Sequence, residues 1–150
     1  MHQVPSIRDS PPKGATMHIA ILTFEGYNEL DSLIALGVLH RVKKPDWRVS
    51  ICSPTRSVRS MNGVVIEATS DLEDACRADA VIVGSGMQTR EVVEDPAIMA
   101  RLRQLDPSRQ LVAAQCSGAL VLAKLGLLQA SPRAPTSPRS RGWWRPGSRC

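Results

Sequence analysis

Short apolar runs alternate along this chain with stretches in which apolar residues recur at helical spacing. Strands are predicted at 17–24, 47–53, 80–83 and 110–114. The apolar runs at 17–24 and 80–83 predict buried strands, and the run at 47–53 alternates apolar and polar residues. Helical spacing predicts helices at 71–78, 96–105 and 117–128. The Asn62-Gly63 pair at the centre of 58–68 predicts a β-hairpin.

A further helix is predicted to begin after Asn28, a residue type that often caps helices, and to stop before Pro45. Its apolar residues recur on one face, at Leu30, Leu33, Ile34, Val38 and Val42. This spacing predicts an amphipathic helix whose apolar face packs on the sheet.

Strands that alternate with helices indicate an α/β fold: a three-layer, flavodoxin-like, mainly parallel sheet with helices on both faces. Such folds bind ligands beyond the carboxyl ends of their strands. Residues 25–31, residues 84–86 and Cys116 all follow predicted strands, so we expect them at that edge of the sheet.

Composition divides the 150 residues into a polar leader at 1–16, a foldable α/β body at 17–130 and a Pro/Arg-rich tail at 131–150. We expect the leader and the tail to be disordered. The net charge of +5 comes from five arginines after Ser131, and the other basic residues balance the 14 acidic ones. Because the body is neutral, we expect no nucleic-acid partner.

No apolar stretch is long enough to cross a membrane, and the leader lacks the apolar segment of a signal peptide. We therefore expect a cytoplasmic protein with no membrane partner. The four cysteines, Cys52, Cys76, Cys116 and Cys150, lie far apart and form no Cys-x-x-Cys pair. We expect reduced thiols, with no metal site and no disulfide scaffold.

Cys116 follows the predicted strand at 110–114 directly and precedes a helical pattern. A cysteine at such a turn lies beside the free N–H groups of a helix start, which favour a thiolate. The small residues Gly118 and Ala119 would allow a sharp turn, as in the nucleophile elbow of hydrolases. The alternative is that Cys116 is a small buried residue without chemistry.

Four segments together resemble the ThiJ/PfpI family of the class I glutamine amidotransferase-like superfamily. They are 21–31, 60–63, 81–86 and 113–128, the last containing Ala113-Ala114-Gln115-Cys116-Ser117-Gly118-Ala119. The resemblance implies that Cys116 is the reactive cysteine and that Asp31, from the first helix, approaches its sulfur. It also suggests a homodimer and implies no cofactor. A carboxyl group in that position could donate a hydrogen bond to a thiolate and move protons; the alternative for Asp31 is a solvated helix residue.

The resemblance further implies an oxyanion or substrate-binding pocket formed by backbone N–H groups near Gly86 and Ser117, with Ser85 in the same loop. This chain has Gly84-Ser85-Gly86 where the family usually has Pro-Gly-Gly. The Ser117 hydroxyl either assists catalysis or caps the helix.

No histidine follows Cys116, because the chain's three histidines are His2, His18 and His40. A Cys-His pair after the elbow is therefore not predicted, and the isonitrile hydratase-like branch, which uses an acid and a cysteine, fits better. We expect a cysteine-dependent enzyme acting on a small-molecule substrate. The alternatives are a ligand-sensing domain of a transcriptional regulator and an inactive truncated product.

The pattern of strands and helices ends abruptly in a segment of arginine, proline and serine, followed by Trp143-Trp144. A GC-rich gene translated out of register gives such a composition. We predict a frameshift between about 129 and 135, which would leave the α/β domain incomplete at its C-terminus. A genuine disordered arginine-rich tail is the alternative.

Overall fold

The computed structural model describes residues 16–128, so most of the leader, the tail and Cys150 lie outside the described residues. It contains six strands: β1 (Met17–Leu22), β2 (Trp47–Cys52), β3 (Ser57–Arg59), β4 (Val65–Glu67), β5 (Ala80–Val83) and β6 (Leu111–Ala114). It contains five α-helices: α1 (Glu29–Leu39), α2 (Leu72–Arg77), α3 (Thr89–Glu94), α4 (Pro96–Leu102) and α5 (Ala119–Lys124). A 3₁₀ turn, Cys116–Gly118, precedes α5.

Four strands form one parallel sheet in the order β2-β1-β5-β6. The chain runs outward from β1 to β2 and then returns to place β5 on the other side of β1. This reversal of strand order makes a topological switch point between β1 and β5, where folds of this class open a crevice for ligands. β3 and β4 pair antiparallel as a separate hairpin, as Asn62-Gly63 predicted.

Alternation along β1 divides the core between the two faces of the sheet. Ala20 and Leu22 join a large apolar cluster with residues of α2, α3, α4 and α5, whereas Ile21 packs on the opposite face with residues of α1. The helices therefore cover both faces, which confirms the predicted three-layer α/β fold.

α1 begins as predicted, with the Asn28 side chain accepting a hydrogen bond from Leu30 N. The prediction of its buried face was wrong, because Leu30, Ile34 and Val38 are 69%, 56% and 58% exposed. The face of the helix that packs on the sheet instead carries smaller side chains among its residues. These residues are Ser32, Ala35, Leu36 and Leu39. The polar Ser32 side chain can be buried there because its Oγ accepts a hydrogen bond from Thr23 Oγ1.

The predicted helix at 117–128 is shorter, because Gly126 takes a left-handed backbone conformation with φ +72°. Leu127 N then donates to Leu122 O, and Gly126 N to Ala123 O, which is the hydrogen-bond pattern of a Schellman C-cap. Sequence reasoning missed α3 altogether and extended the helix at 96–105 beyond the end of α4 at Leu102.

Within the part of the chain that is described, no helix combines the length and the apolar character that crossing a membrane requires.

Candidate active site

Cys116 leaves β6 in a backbone conformation that is rare for a residue with a side chain, at φ 44°. Its thiol is exposed, and the chain continues through the 3₁₀ turn directly into α5. Such strain persists where the surrounding structure enforces it, and it is common at functional sites. The arrangement matches the strand, turn and helix of a nucleophile elbow.

Gly118 is required for this turn because the start of α5 lies against the end of β5. A Cβ on Gly118 would come within 2.7 Å of Gly84 O and closer still to Val83 O. Because Gly118 has no side chain, the turn at Cys116 can lie this close to the loop at 84–86.

Asp31 lies half-buried in the first turn of α1, where the Ser85 hydroxyl donates a hydrogen bond to its Oδ2. Ser85 is itself held, since its carbonyl oxygen accepts from Asn28 N at 2.9 Å. On the other side, Gln115 Nε2 donates to Asp31 O at 3.2 Å. The side chain directly before Cys116 is therefore bonded to the backbone of Asp31, the acid that the family resemblance pairs with this cysteine.

Gln115 was not singled out from the sequence, and the oxygen of its side-chain amide lacks a hydrogen-bond partner among the described residues. This oxygen, Gln115 Oε1, is buried. It is thus an unused acceptor on the amide group whose nitrogen donates to Asp31 O, and a buried acceptor without a partner carries a free-energy cost.

Ser117 bonds to the loop at 84–86 rather than to a helix N–H. Its Oγ accepts from Gly86 N at 3.2 Å, lies 3.3 Å from Gly86 O and lies 2.9 Å from Thr89 Oγ1. The Gly86 N–H therefore reaches a substrate atom only when the Ser117 hydroxyl turns away. Thr89 was missed from the sequence because the helix that it begins, α3, was not predicted.

Two further acids near α1 hold the hairpin rather than the cysteine. The Glu29 carboxylate accepts from Ser60 Oγ and Asn62 Nδ2, and Glu25 Oε2 accepts from Arg59 N. The Ser60 hydroxyl is the main reason that the Glu29 pKa lies below its usual value. These contacts attach the β3–β4 hairpin to the carboxyl edge of the main sheet.

The other two described cysteines have different surroundings from Cys116. Cys52 and Cys76 are free thiols within the apolar core. Burial raises the pKa of the Cys52 thiol to about 11, and burial likewise raises the pKa of Cys76. Both are therefore protonated at neutral pH, which leaves Cys116 as the exposed sulfur of the three.

No group of three or more His, Cys, Asp or Glu side chains in the described ranges could hold a metal ion. The chemistry available at this edge of the sheet is that of a thiol, a carboxyl group, hydroxyls and backbone N–H groups.

Known proteins place this arrangement in context. An uncharacterised Streptomyces lividans protein encoded in the cpoL 5′ region is 31% identical over 114 residues, which cover 74% of this chain and 81% of that protein. Among solved structures, oxidised Toxoplasma gondii DJ-1 superposes with a TM-score of 0.62 at 24% identity, over 75% of this chain and 63% of that one. Drosophila melanogaster DJ-1beta gives a TM-score of 0.63 at 23% identity, over 75% and 62%. The chain thus spans less than two thirds of these two structures.

The family model described as DJ-1/PfpI matches residues 17–137, which includes the whole described sheet, Asp31, the loop at 84–86 and the cysteine turn. This match covers well over half of the sequence, and its fold agrees with that of the DJ-1 structures. The chain belongs to the DJ-1/PfpI family.

Proposed function

We propose that the protein is a cysteine-dependent enzyme for a small electrophilic substrate, in which the Cys116 sulfur attacks carbon and Asp31 moves protons. The observation that carries the proposal is the exposed and conformationally strained Cys116 at the turn after β6. The residue before it, Gln115, donates to the backbone carbonyl of Asp31, and the Asp31 carboxylate accepts from Ser85, which supports a place for the acid near this turn.

Hydration of an isonitrile to an N-substituted formamide is the specific reaction that we propose. The Cys116 thiolate adds to the terminal isonitrile carbon while Asp31 delivers a proton to that carbon, which gives a thioimidate. Water then attacks the same carbon and loses one proton to Asp31, which restores the acid. The imine nitrogen gains the second proton of that water, and the C–S bond breaks as the thiolate leaves. The sum is one isonitrile and one water converted to one formamide, so no cofactor or redox partner is required.

Ser117 and Gly86 would act together on the group that gains negative charge. In the free protein the Gly86 N–H donates to Ser117 Oγ. A substrate atom that replaces Ser117 Oγ as the acceptor would receive the Gly86 N–H, and the Ser117 O–H, once turned away from Thr89, would be a second donor to it.

The test is formamide production from an alkyl isonitrile by the purified full chain. We expect Cys116→Ser to abolish turnover and Asp31→Asn, which preserves shape but cannot transfer a proton, to lower kcat by about 10²-fold or more. Glu29→Gln is the matched control, because it changes a carboxylate two residues away that bonds to the hairpin instead. Turnover that survives Cys116→Ser would exclude the proposal.

A ligand-sensing domain of a transcriptional regulator is the second candidate from the sequence. The same experiment separates the two functions: a sensor binds the isonitrile or its product saturably without turnover, and Asp31→Asn leaves that affinity unchanged.

We also propose a frameshift between about 129 and 135. If it is real, activity should be assayed on a protein with the reading frame restored as well as on the given sequence. The residues at 129–135 lie outside those described, although the family match continues to residue 137. Resequencing the gene tests it: an uninterrupted frame, with no family-like continuation in the neighbouring register, would exclude the frameshift.

A further inference from the structure

A cavity of about 590 Å³ opens on the face of the sheet that α2, α3 and α4 cover. It lies at the carboxyl ends of β1 and β2, where Phe24 follows one strand and Pro54 the other. Its inner wall is apolar, formed by Phe24, Leu72, Val92 and Ile98. A cavity of this volume with this kind of wall is typical of sites for small organic molecules.

This cavity is separate from the cysteine site. Its lining contains neither Cys116 nor Asp31, and neither Ser85 nor Gly86. Met87 N donates to Gly26 O at 2.9 Å, which joins the loop at 84–86 to the turn that follows β1. The cysteine chemistry proposed above therefore leaves the cavity without a role.

The polar residues around the cavity carry negative charge. Glu25, Glu91 and Asp95 line it, and Arg101 is the one basic residue in the lining. The Arg101 guanidinium is already paired with Glu73, at 3.1 Å. Among the described residues, no cationic side chain forms an ion pair with Glu25, Glu91 or Asp95.

The three carboxylates differ in what they can offer a ligand. Asp95 caps α4 by accepting from Ala97 N and Ile98 N, and Glu25 accepts from Arg59 N. The Glu91 carboxylate, on the second residue after the start of α3, is exposed and makes no hydrogen bond with another described side chain. Glu91 is thus the carboxylate most available to a bound cation.

We infer that this cavity binds a small organic cation: an amine whose aliphatic or aromatic body lies on Phe24, Val92 and Ile98 and whose ammonium group faces Glu91. Apolar burial gives the affinity, and the negative charge selects a cation over a neutral or anionic molecule of the same shape. Phe24 adds an aromatic ring to the wall that the body of the ligand would contact.

The experiment compares three probes of nearly equal size: phenethylamine, 2-phenylethanol and phenylacetate. Titrations of the full chain are followed by amide chemical shifts. We expect phenethylamine to bind with a Kd of about 1 mM or tighter. Its shifts should concentrate at the cavity residues, and the alcohol and the acid should bind more weakly, in that order.

Two variants test the assignment. Glu91→Gln should weaken phenethylamine about three- to fivefold and leave 2-phenylethanol unchanged. Glu94→Gln is its matched control, because Glu94 is on the same helix but pairs with Lys124 outside the cavity. Ala97→Trp, at an exposed position on the cavity rim, should block all binding without enlarging a core residue.

Binding in the cavity should be unaffected by Cys116→Ser, so this inference can fail or hold independently of the proposed enzyme. Equal affinity for the amine and the acid would overturn it. So would shifts confined to residues 115–118, or no saturable binding of phenethylamine at about ten times the expected Kd.

Discussion

Gly118 shows at the scale of one residue how the cysteine turn depends on close backbone approach. A methyl group there would overlap the carbonyl oxygens at the end of β5. The sequence identified this glycine as part of a sharp turn. It could not identify the carbonyls that it meets, because they come from a strand more than thirty residues earlier in the chain.

Gly118→Ala should therefore lower the free energy of unfolding by about 2–4 kcal/mol, because backbone atoms cannot move aside as a flexible side chain could. Gly37→Ala is the control. Nothing lies within 4 Å of a Cβ at Gly37, which is inside α1, so this change should raise stability by about 0.5–1 kcal/mol. Chemical denaturation measures both, and equal effects of the two substitutions would contradict the packing described at Gly118.

His18 gives a second prediction at the same scale, through the pH dependence of stability. Arg48 NH2 lies 2.8 Å from His18 Nδ1, so this nitrogen accepts and is unprotonated, while Nε2 lies 2.6 Å from Ser50 Oγ. Burial lowers the His18 pKa below its usual 6.5, and the Arg48 charge lowers it further, against the opposing effect of Asp74 and Asp79.

The unfolded chain therefore takes up a proton near pH 6.5 that the folded protein resists. The stability from neutral His18 is complete above that pH and is lost as the pH falls toward the lower folded value. Denaturation midpoints from pH 8 to about 5 should fall less steeply in His18→Gln than in the parent chain. An identical slope in both proteins would show that His18 is not the group responsible.

At the scale of the site, the residue types were easier to predict than their contacts. Cys116 could be named as a candidate because the strand, turn and helix around it are visible in the sequence, whereas Asp31 was named only through the family resemblance. The Gln115 bond to Asp31 and the Thr89 bond to Ser117 could not be predicted, since each joins segments far apart in the chain.

At the scale of the elements, α1 shows that the most apolar face of a helix is not always the face that packs on the sheet. Counting apolar residues favoured the face with Leu30, Ile34 and Val38, yet the helix buries the face with Ser32 and Leu36. Close packing on β1 favours the small Ser32, and its hydroxyl is satisfied by Thr23 across the interface. The strands of the main sheet were predicted well because each is a short run of strand-forming residues, even though β6 is only partly buried.

This packing makes a contrast between two positions on the same helix. Ile34→Asp should change the free energy of unfolding by no more than about 1 kcal/mol, because Ile34 is exposed. Leu36→Asp should lower it by more than about 2 kcal/mol, because a carboxylate would replace a side chain packed on Ile21, Val49 and Ile51. If Ile34→Asp costs as much as Leu36→Asp, the face assigned to the core is wrong.

Over the whole molecule, the order β2-β1-β5-β6 brings the carboxyl ends of β1, β5 and β6 together. Alternating strands and helices predicted the layers and the edge at which these ends meet. The cavity beside Phe24 was not predicted, because its wall is assembled from loops and helices that follow several different strands. Such a cavity has no signature in local sequence periodicity.

The reactivity of two buried thiols, Cys52 on β2 and Cys76 on α2, can report whether the fold unfolds cooperatively. Cys52 and Cys76 belong to one apolar cluster with residues from β1, β5 and α4, so both should become reactive together when that cluster opens. In a denaturant series, pulse labelling of the two should follow one transition that coincides with the loss of circular dichroism. Labelling of Cys76 well before Cys52 would show that α2 opens separately.

The central claim is that Cys116 is a nucleophile supported by Asp31, and the rate of its alkylation by iodoacetamide tests this most directly. The measurement uses mass spectrometry at pH 7 on a Cys150→Ser background. We expect Cys116 to react faster in the folded protein than in the urea-unfolded chain, and Asp31→Ala to slow the folded protein about tenfold. Glu29→Ala, two residues away, should leave the rate unchanged within about twofold. A folded Cys116 that reacts no faster than the unfolded thiol, with a rate that Asp31→Ala leaves unchanged, would contradict the claim.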